Sequence, residues 1–298
     1  MARKRNTPIH RQAAVRKIIR LALQEDIGTG DVTAEAVVPE RLHVSAAIVL
    51  KEPDAVICGL PLIQLFFSRL DPDIRVKLLV KEGSRVRTPR PLVRLQGQAR
   101  AILQAERTIL NLLSRLSGIA TATQRLVQAV KPYRAQIYDT RKTTPGLRVL
   151  EKYAVRIGGG QNHRLGLYDQ VLIKDNHLEI VRRLTGKDTF AILVSAARLR
   201  SKPKTVVEIE VDQARHVREA LLAGPDIIML DNMRPAQMKA AVKLRDRMNR
   251  RVRLEASGNV DERTVRAIAR SGVDMISVGK LTHSVRSIDI SLDITGLS

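Results

Sequence analysis

Aromatic side chains are almost missing from this sequence: they make up 2% of 298 residues, and tryptophan is absent. So few rings offer few platforms for unpaired bases to stack on, which counts against single-stranded nucleic acid as a main ligand. The core must be aliphatic, and a 44% hydrophobic content suits buried parallel strands covered by helices. Cysteine is reduced to Cys58, so no internal disulfide can form and a reducing, cytoplasmic setting is expected. Cys58 lies in AVICGLPL and reads as a small core residue, not a nucleophile. No apolar run approaches the roughly 20 residues of a membrane span, so no membrane partner is expected. The basic N-terminus lacks an apolar h-region and does not read as a secretory signal.

Acids are also scarce. Against 52 Lys and Arg stand 30 Asp and Glu, a formal net charge of +22. Such a charge raises encounter rates with any anion, whether substrate phosphate or nucleic acid, and does not choose between them. Part of it is concentrated before residue 21, where Arg3, Lys4, Arg5, Arg11, Arg16, Lys17 and Arg20 stand without an acid. Met1 to Thr7 reads as a loose arm, and apolar spacing predicts a helix from about Pro8.

The length fits roughly two domains, or a barrel with an appendage. From Val44 to Leu95, strand-like runs at both ends of GLPLIQLFFSRL predict an α+β layer. Ala99 to Val130 reads as a long helical region that Ser117-Gly118 interrupts. After Pro132, apolar runs recur with helical segments between them: QIYD, DQVLIK, TVVEIEV, DIIML, RVRLEA and DMISV. The last four are spaced like βα units. Pro132 to about Thr282 therefore reads as a parallel β/α barrel or a large part of one. The alternating RSIDISLDI predicts an edge strand that returns to the first domain.

Polar residues follow the apolar runs. QIYD leads to Arg141 and Lys142, and VLIK ends in Lys174. VVEIEV carries Glu208 and Glu210, IIML leads to Asp231 and Asn232, RLEA to Ser257, Gly258 and Asn259, and MISV to Gly279 and Lys280. In a β/α barrel the C-terminal strand ends build the active site, so these residues should converge on one mouth. The two glycine turns allow close backbone approach to a phosphate, although each alone is also an ordinary βα turn. Glu208, Glu210 and Asp231 could hold Mg²⁺, directly or through water, or accept from ribose hydroxyls. Glu208 serves equally well as a structural partner of a cation. His163 and Arg164 follow a triple glycine; no HxxxH pair or cysteine cluster accompanies His163, so zinc is not expected. A solvated basic loop is the plain alternative for the whole cationic stretch Asp139 to His177.

The segments EDIGTGDVT, AERTILNLLSRLSGIAT, DTRKTTPGLRVLEKYAVRIGGGQNHRLGL, LIKDNH, EIEV, IIMLDN, EASGNV and GVDMISVGKLTHS are long, ordered and specific. Through them the chain resembles the nicotinate-nucleotide pyrophosphorylase (carboxylating), or quinolinate phosphoribosyltransferase, family over nearly its whole length. The resemblance implies an α/β protein with an N-terminal α+β sandwich over residues 1–118, joined by 284–298, and an open, mostly parallel β/α barrel over 119–283. It implies a pentosyltransferase that joins quinolinate to phosphoribosyl pyrophosphate with Mg²⁺, giving nicotinate mononucleotide, pyrophosphate and CO₂ in NAD biosynthesis. It further implies a homodimer or higher oligomer in which Arg107 is donated across the interface to quinolinate. Arg141, His163 and Arg164 would face the quinolinate carboxylates, Thr140 would bind substrate, and Lys142 and Lys174 would lie near the reacting centre and the phosphates. Glu210 and Asp231 would serve ribose and Mg²⁺. The turns Ser257–Gly258–Asn259 and Val278–Gly279–Lys280 would cradle the 5′-phosphate. Thr88 and Pro225 depart from the family pattern away from the mouth. The alternatives are a homologue acting on another anion and a basic nucleic-acid-binding protein with a degenerate site, the latter not expected as the main function.

Overall fold

The computed structural model describes residues 8–186 and 190–297; the expected arm, Met1–Thr7, lies outside them. The chain divides into two compact units. One comprises Met1–Gln124, Thr144–Gly159 and Val285–Ser298, the other Arg125–Thr143 and Gly160–Ser284. Residues 119–124 and 144–159 group with the first unit. The reason for the latter is local. Glu151, fully buried, accepts from the Arg115 guanidinium at 2.8 Å and from the Thr144 amide at 3.1 Å.

The first unit begins with α1 (Ala13–Ile27), α2 (Val32–Val37), β1 (His43–Leu50), β2 (Ala55–Val56), α3 (Leu60–Leu70), β3 (Arg75–Leu78), β4 (Arg85–Val86), β5 (Arg90–Gln98) and α4 (Ala99–Ala129). It also holds α5, at Arg148–Ile157, and the last strand of the chain, at Ile290–Leu297. That strand pairs antiparallel with β1, setting Leu50 opposite Ile290, so the alternating C-terminal segment does return to the first unit. With β5 and β3 it completes a four-stranded antiparallel sheet. Glu82 caps α3 by accepting from the Gly59 and Leu60 amides at 2.8 and 3.0 Å. Burial, then the neighbouring Glu82 charge, pushes the Cys58 thiol well above its ordinary value. Cys58 is thus a core thiol with little thiolate character.

Ser117 and Gly118 do not interrupt α4. The Ser117 hydroxyl accepts from the Cys58 amide at 3.0 Å, and Thr121, one turn on, accepts from the Val56 amide at 2.8 Å. Both hydroxyls meet buried donors that the short strand β2 leaves unpaired. Gly118 is required by close approach, since a Cβ there would lie 2.2 Å from the Arg286 carbonyl oxygen.

The second unit is built from β6 (Gln136–Tyr138), β7 (Val171–Ile173), α6 (Asp175–Thr185), α7 (Phe190–Arg200), β8 (Val207–Val211), α8 (Val217–Ala223), β9 (Ile227–Asp231), α9 (Pro235–Met248), β10 (Arg253–Ser257), α10 (Val265–Arg270), β11 (Met275–Ser277) and α11 (Lys280–His283). Its strands form one six-stranded sheet in the order β6-β11-β10-β9-β8-β7, parallel throughout. The final strand of the chain, in the first unit, is β12. Strands β8 to β11 are almost wholly buried, as apolar runs covered by helices should be. Pro235 opens α9 and Gly224, at φ 69°, closes α8, both as their residue types predict. The sheet does not close on itself: β6 and β7 are its two edges. The segment after the triple glycine adds to the β6 edge, with the Gln161 amide donating to the Ile137 carbonyl at 2.8 Å and its carbonyl accepting from Asp139 at 3.1 Å. Among the described residues, no helix is long and apolar enough to cross a membrane.

Gly118→Ala should lower stability. The helix-propensity gain is about 1 kcal/mol, while overpacking against a backbone carbonyl costs about 1–3 kcal/mol. The expected net loss, a lower midpoint in thermal or urea unfolding, is checked against Ala120→Gly; a stabilised Gly118→Ala would show that the Arg286 segment yields freely.

Candidate active site

Parallel strands aim their C-terminal ends one way, so the residues that follow them meet although they are far apart in sequence. They line a cavity of 720 Å³ in the second unit. Thr140, Arg141 and Lys142 reach it from the end of β6, and Lys174 from the end of β7. Glu210 comes from β8, Asp231 and Asn232 from β9, Ser257 to Val260 from β10, and Ser277, Gly279, Lys280 and His283 from β11 and α11. His163 and Arg164 enter from the segment along the β6 edge. Arg107 lies in the first unit, exposed on α4.

The acids split into two sets. Glu210 is mostly buried and pairs with the half-exposed Lys174 ammonium at 2.8 Å. Asp231 accepts from its neighbour Asn232 at 2.7 Å. Beneath them Asp139, Glu208 and Glu255 are fully buried. Asp139 accepts from the Asn162 side chain and from the His163 amide, the latter at 2.8 Å. The His163 Nε2 lies 3.0 Å from Glu208 and 3.2 Å from Glu255.

His163, Glu208 and Glu255 also have the residue types of a metal site, with one ligand atom from each lying within 4.8 Å of the others. The other ring nitrogen decides against it. His163 Nδ1 accepts from the Arg164 backbone amide at 2.8 Å. A ring whose Nδ1 lone pair is so used carries its proton on Nε2, the atom a metal would need. Two pulls then compete for the extra proton of the cluster. Burial opposes charge on His163, but the hydrogen bonds and charges of Glu208 and Glu255 lift it to about 10. Burial, then the Glu255 charge, lifts Glu208 to about 7 against the pull of His163 and Arg164. The Arg164 amide contact agrees with the second, so the proton rests on the acids and the ring stays in the Nε2–H form. Both ring nitrogens of His163 are engaged within the protein. His163 itself lines the cavity.

Cations dominate the upper wall. Burial, then the nearby Arg141 charge, lowers the Arg164 proton affinity below its ordinary value. The two guanidinium groups stay charged, so they repel until an anion sits between them. The Nε of Arg141 and the Oγ of Ser277 are buried without a hydrogen-bond partner among the described residues, and both residues line the cavity. On the far side, Gly258 has φ 96°, and a Cβ there would lie 2.1 Å from the Asn232 side-chain oxygen. Only glycine permits that turn. Val278 is buried and its amide donates to the Tyr138 carbonyl at 2.9 Å, so of its expected turn only Gly279 and Lys280 face the cavity.

Two family models match the chain in succession: the quinolinate phosphoribosyl transferase N-terminal domain over residues 31–117 and its C-terminal domain over 119–293. The chain belongs to the quinolinate phosphoribosyltransferase family. It is 43% identical over 284 residues to the nicotinate-nucleotide pyrophosphorylase [carboxylating] of Mycobacterium leprae, covering 94% of this chain and 97% of that one. It is 41% identical over 283 residues to the probable nicotinate-nucleotide pyrophosphorylase [carboxylating] of Bacillus subtilis, covering 94% and 93%. The solved nicotinate-nucleotide pyrophosphorylase of Francisella tularensis superposes with a TM-score of 0.87 at 38% identity, covering 97% of this chain and 100% of that one. The strand-end convergence in this quinolinate phosphoribosyltransferase fold is therefore the family's fold, an α+β unit followed by an open parallel β/α barrel.

Sequence reasoning missed Glu255, Ser277 and His283. Glu255 and Ser277 had a signal, each a polar residue inside an apolar strand run where burial has a cost. His283 had none beyond its place after the last strand.

Linkage gives a test of the buried cluster. A carboxyl raised from 4.5 to about 7 binds more protons folded than unfolded. The stability it lends is complete below its ordinary value and is lost as pH rises through the raised one. Wild type should therefore lose stability relative to Glu208→Gln between about pH 5 and about pH 8, by a few kcal/mol at most. Unfolding midpoints of both proteins across that range check this, and a constant gap would mean that Glu208 titrates as an ordinary carboxylate.

Proposed function

We infer that this chain catalyses phosphoribosyl transfer from phosphoribosyl pyrophosphate to quinolinate with decarboxylation, giving nicotinate mononucleotide, pyrophosphate and CO₂, a step of NAD biosynthesis. One observation carries the reading. In a member of this family, the cations of Thr140–Lys142, Arg164 and Lys174 line one cavity with Glu210, Asp231 and the glycine turns. Quinolinate is a dianion, and two arginines that repel each other, Arg141 and Arg164, form a site that a pair of carboxylates relieves. Lys174 is positioned between that wall and Glu210. A carboxylate taking Lys174 would free Glu210 for the ribose.

Loss of pyrophosphate develops oxocarbenium character at C1 of the ribose, and Glu210 and Asp231 stabilise it by holding the hydroxyls and the nearby charge. The pair also fits Mg²⁺, which takes one or two carboxylates and completes its shell with water and substrate phosphates. When bound, Mg²⁺ neutralises the departing pyrophosphate. The 5′-phosphate fits the turns at Gly258–Asn259 and Gly279–Lys280, where backbone can approach closely. Decarboxylation leaves an electron pair on the ring carbon, and Lys142 and Lys174 supply positive charge there. No protein nucleophile is needed; positioning and electrostatics account for the chemistry.

We also read the protein as a homodimer or larger assembly in which Arg107 of one subunit completes the quinolinate pocket of the other. The exposure of Arg107 on α4 supports this. Cytoplasmic residence accords with a single, buried cysteine.

The deciding assay is release of CO₂ from carboxyl-labelled quinolinate with phosphoribosyl pyrophosphate and Mg²⁺. Activity with Mg²⁺ that is lost on chelation is the expected result; no CO₂ release would refute the reading. For the shared site, Arg107→Ala should raise the quinolinate KM. Mixing unfolded and refolded Arg107→Ala with inactive Lys174→Ala should recover up to about a quarter of wild-type activity, because heterodimers hold one intact site of two. Absence of recovery would place Arg107 outside the site.

A further inference from the structure

Glu208 and Glu255 stand on strands separated by β9, and both side chains reach one ring nitrogen of His163, at 3.0 and 3.2 Å. The ring does not come from a strand. It comes from the segment along the β6 edge, so the two acids fasten that segment to the middle of the sheet. From this point two routes lead to the same side chain. Through the ring, His163 Nδ1 holds the Arg164 backbone amide at 2.8 Å. Through Gln170, whose side-chain amide donates to Glu208, the Gln170 carbonyl holds the Arg164 guanidinium at 3.1 Å. The main chain and the head group of Arg164 are thus both fixed from Glu208, and the ring that forms one route is seated by Glu255.

We propose that Glu255 and Glu208 are positioning residues for the dicarboxylate end of the substrate: through the His163 ring and Gln170 they set the Arg164 guanidinium against Arg141. The inference rests on the quinolinate reading above. It gives a use to two carboxyl groups that burial would otherwise disfavour. A buried carboxylate costs several kcal/mol unless its partners are well placed. Here the partners are the very groups that define one wall of the cavity. Neither acid needs to touch substrate, and Glu208 does not line the cavity. The part of the wall with Gly258, Asn259, Gly279 and Lys280 follows β10 and β11 and is not built through the His163 ring. Disturbing the acids should therefore separate the two substrates.

The test uses Glu255→Gln, which keeps the shape and removes the carboxyl, and Gln170→Ala, which cuts the second route by removing one donor to Glu208 while keeping both acids and the His163 ring. Each KM is measured with the other substrate saturating, alongside the unfolding midpoint. The expected result in both variants is a quinolinate KM raised about tenfold or more, with the phosphoribosyl pyrophosphate KM within about twofold of wild type. Nitrogen chemical shifts of the His163 ring should report the Nε2–H form in wild type and a changed ring in Glu255→Gln, a readout that needs no substrate. Unaltered quinolinate KM in both variants would overturn the proposal. So would an equal rise in both KM values with a lower midpoint, the signature of a purely structural role. If Glu255→Gln does not fold, the KM split in Gln170→Ala decides. Failure of the wild type to turn over quinolinate at all would instead refute the functional reading, and the positioning role with it.

Discussion

Three carboxylates withdrawn from water set the terms for this site. Asp139, Glu208 and Glu255 are fully buried beneath the cavity, and each must be met by donors or a positive charge. The donors come from one stretch of chain: the Asn162 side chain, the His163 amide and ring, and the Gln170 side chain. Satisfying the acids therefore ties residues 161–170 along the open edge of the sheet. Arg164 is carried with that stretch and set near Arg141, whose charge lowers its proton affinity after burial does. The positive wall that a dianion would meet is thus a consequence of how the negative floor beneath it is neutralised.

The parallel sheet supplies the rest. Each strand ends on the same side, so residues from Thr140 to His283 share one cavity. The strand ends also separate the labour. The β6 and β7 ends give cations, the β8 and β9 ends give Glu210 and Asp231, and the β10 and β11 ends give turns where backbone is exposed. At Gly258 the turn is so close to Asn232 that a side chain would collide with it. Cations stand at the two edge strands, and from β6 towards β7 the glycine turns come first and the acids next, so a dicarboxylate, a ribose and a phosphate each have their own stretch of the cavity. The +22 formal charge is larger than this cavity uses. It acts at longer range, by raising the encounter rate with anions.

The strands of the second unit were legible because buried parallel strands read as short apolar runs at regular spacing. Lys174, Glu210, Asp231, Ser257 and Gly279 were legible as the polar residues at their ends. The placement of α5 was not. A helix pattern cannot say which core it joins, and α5 joins the first unit because buried Glu151 meets Arg115 there. Gly118 looked like a helix break, since glycine is a poor helix former. It marks instead a place where Arg286 approaches α4 too closely for a Cβ.

The sequence alone therefore determined the elements, their order and the set of charges that meet, because periodicity and strand-end position are local properties. Only the tertiary structure decided how those charges divide. It took Glu255 and Glu208 into the floor, gave both nitrogens of His163 to the protein, and withdrew the Val278 amide into a strand contact. None of this can be read from spacing, since burial and hydrogen-bond direction depend on which residues from distant segments arrive at the same place.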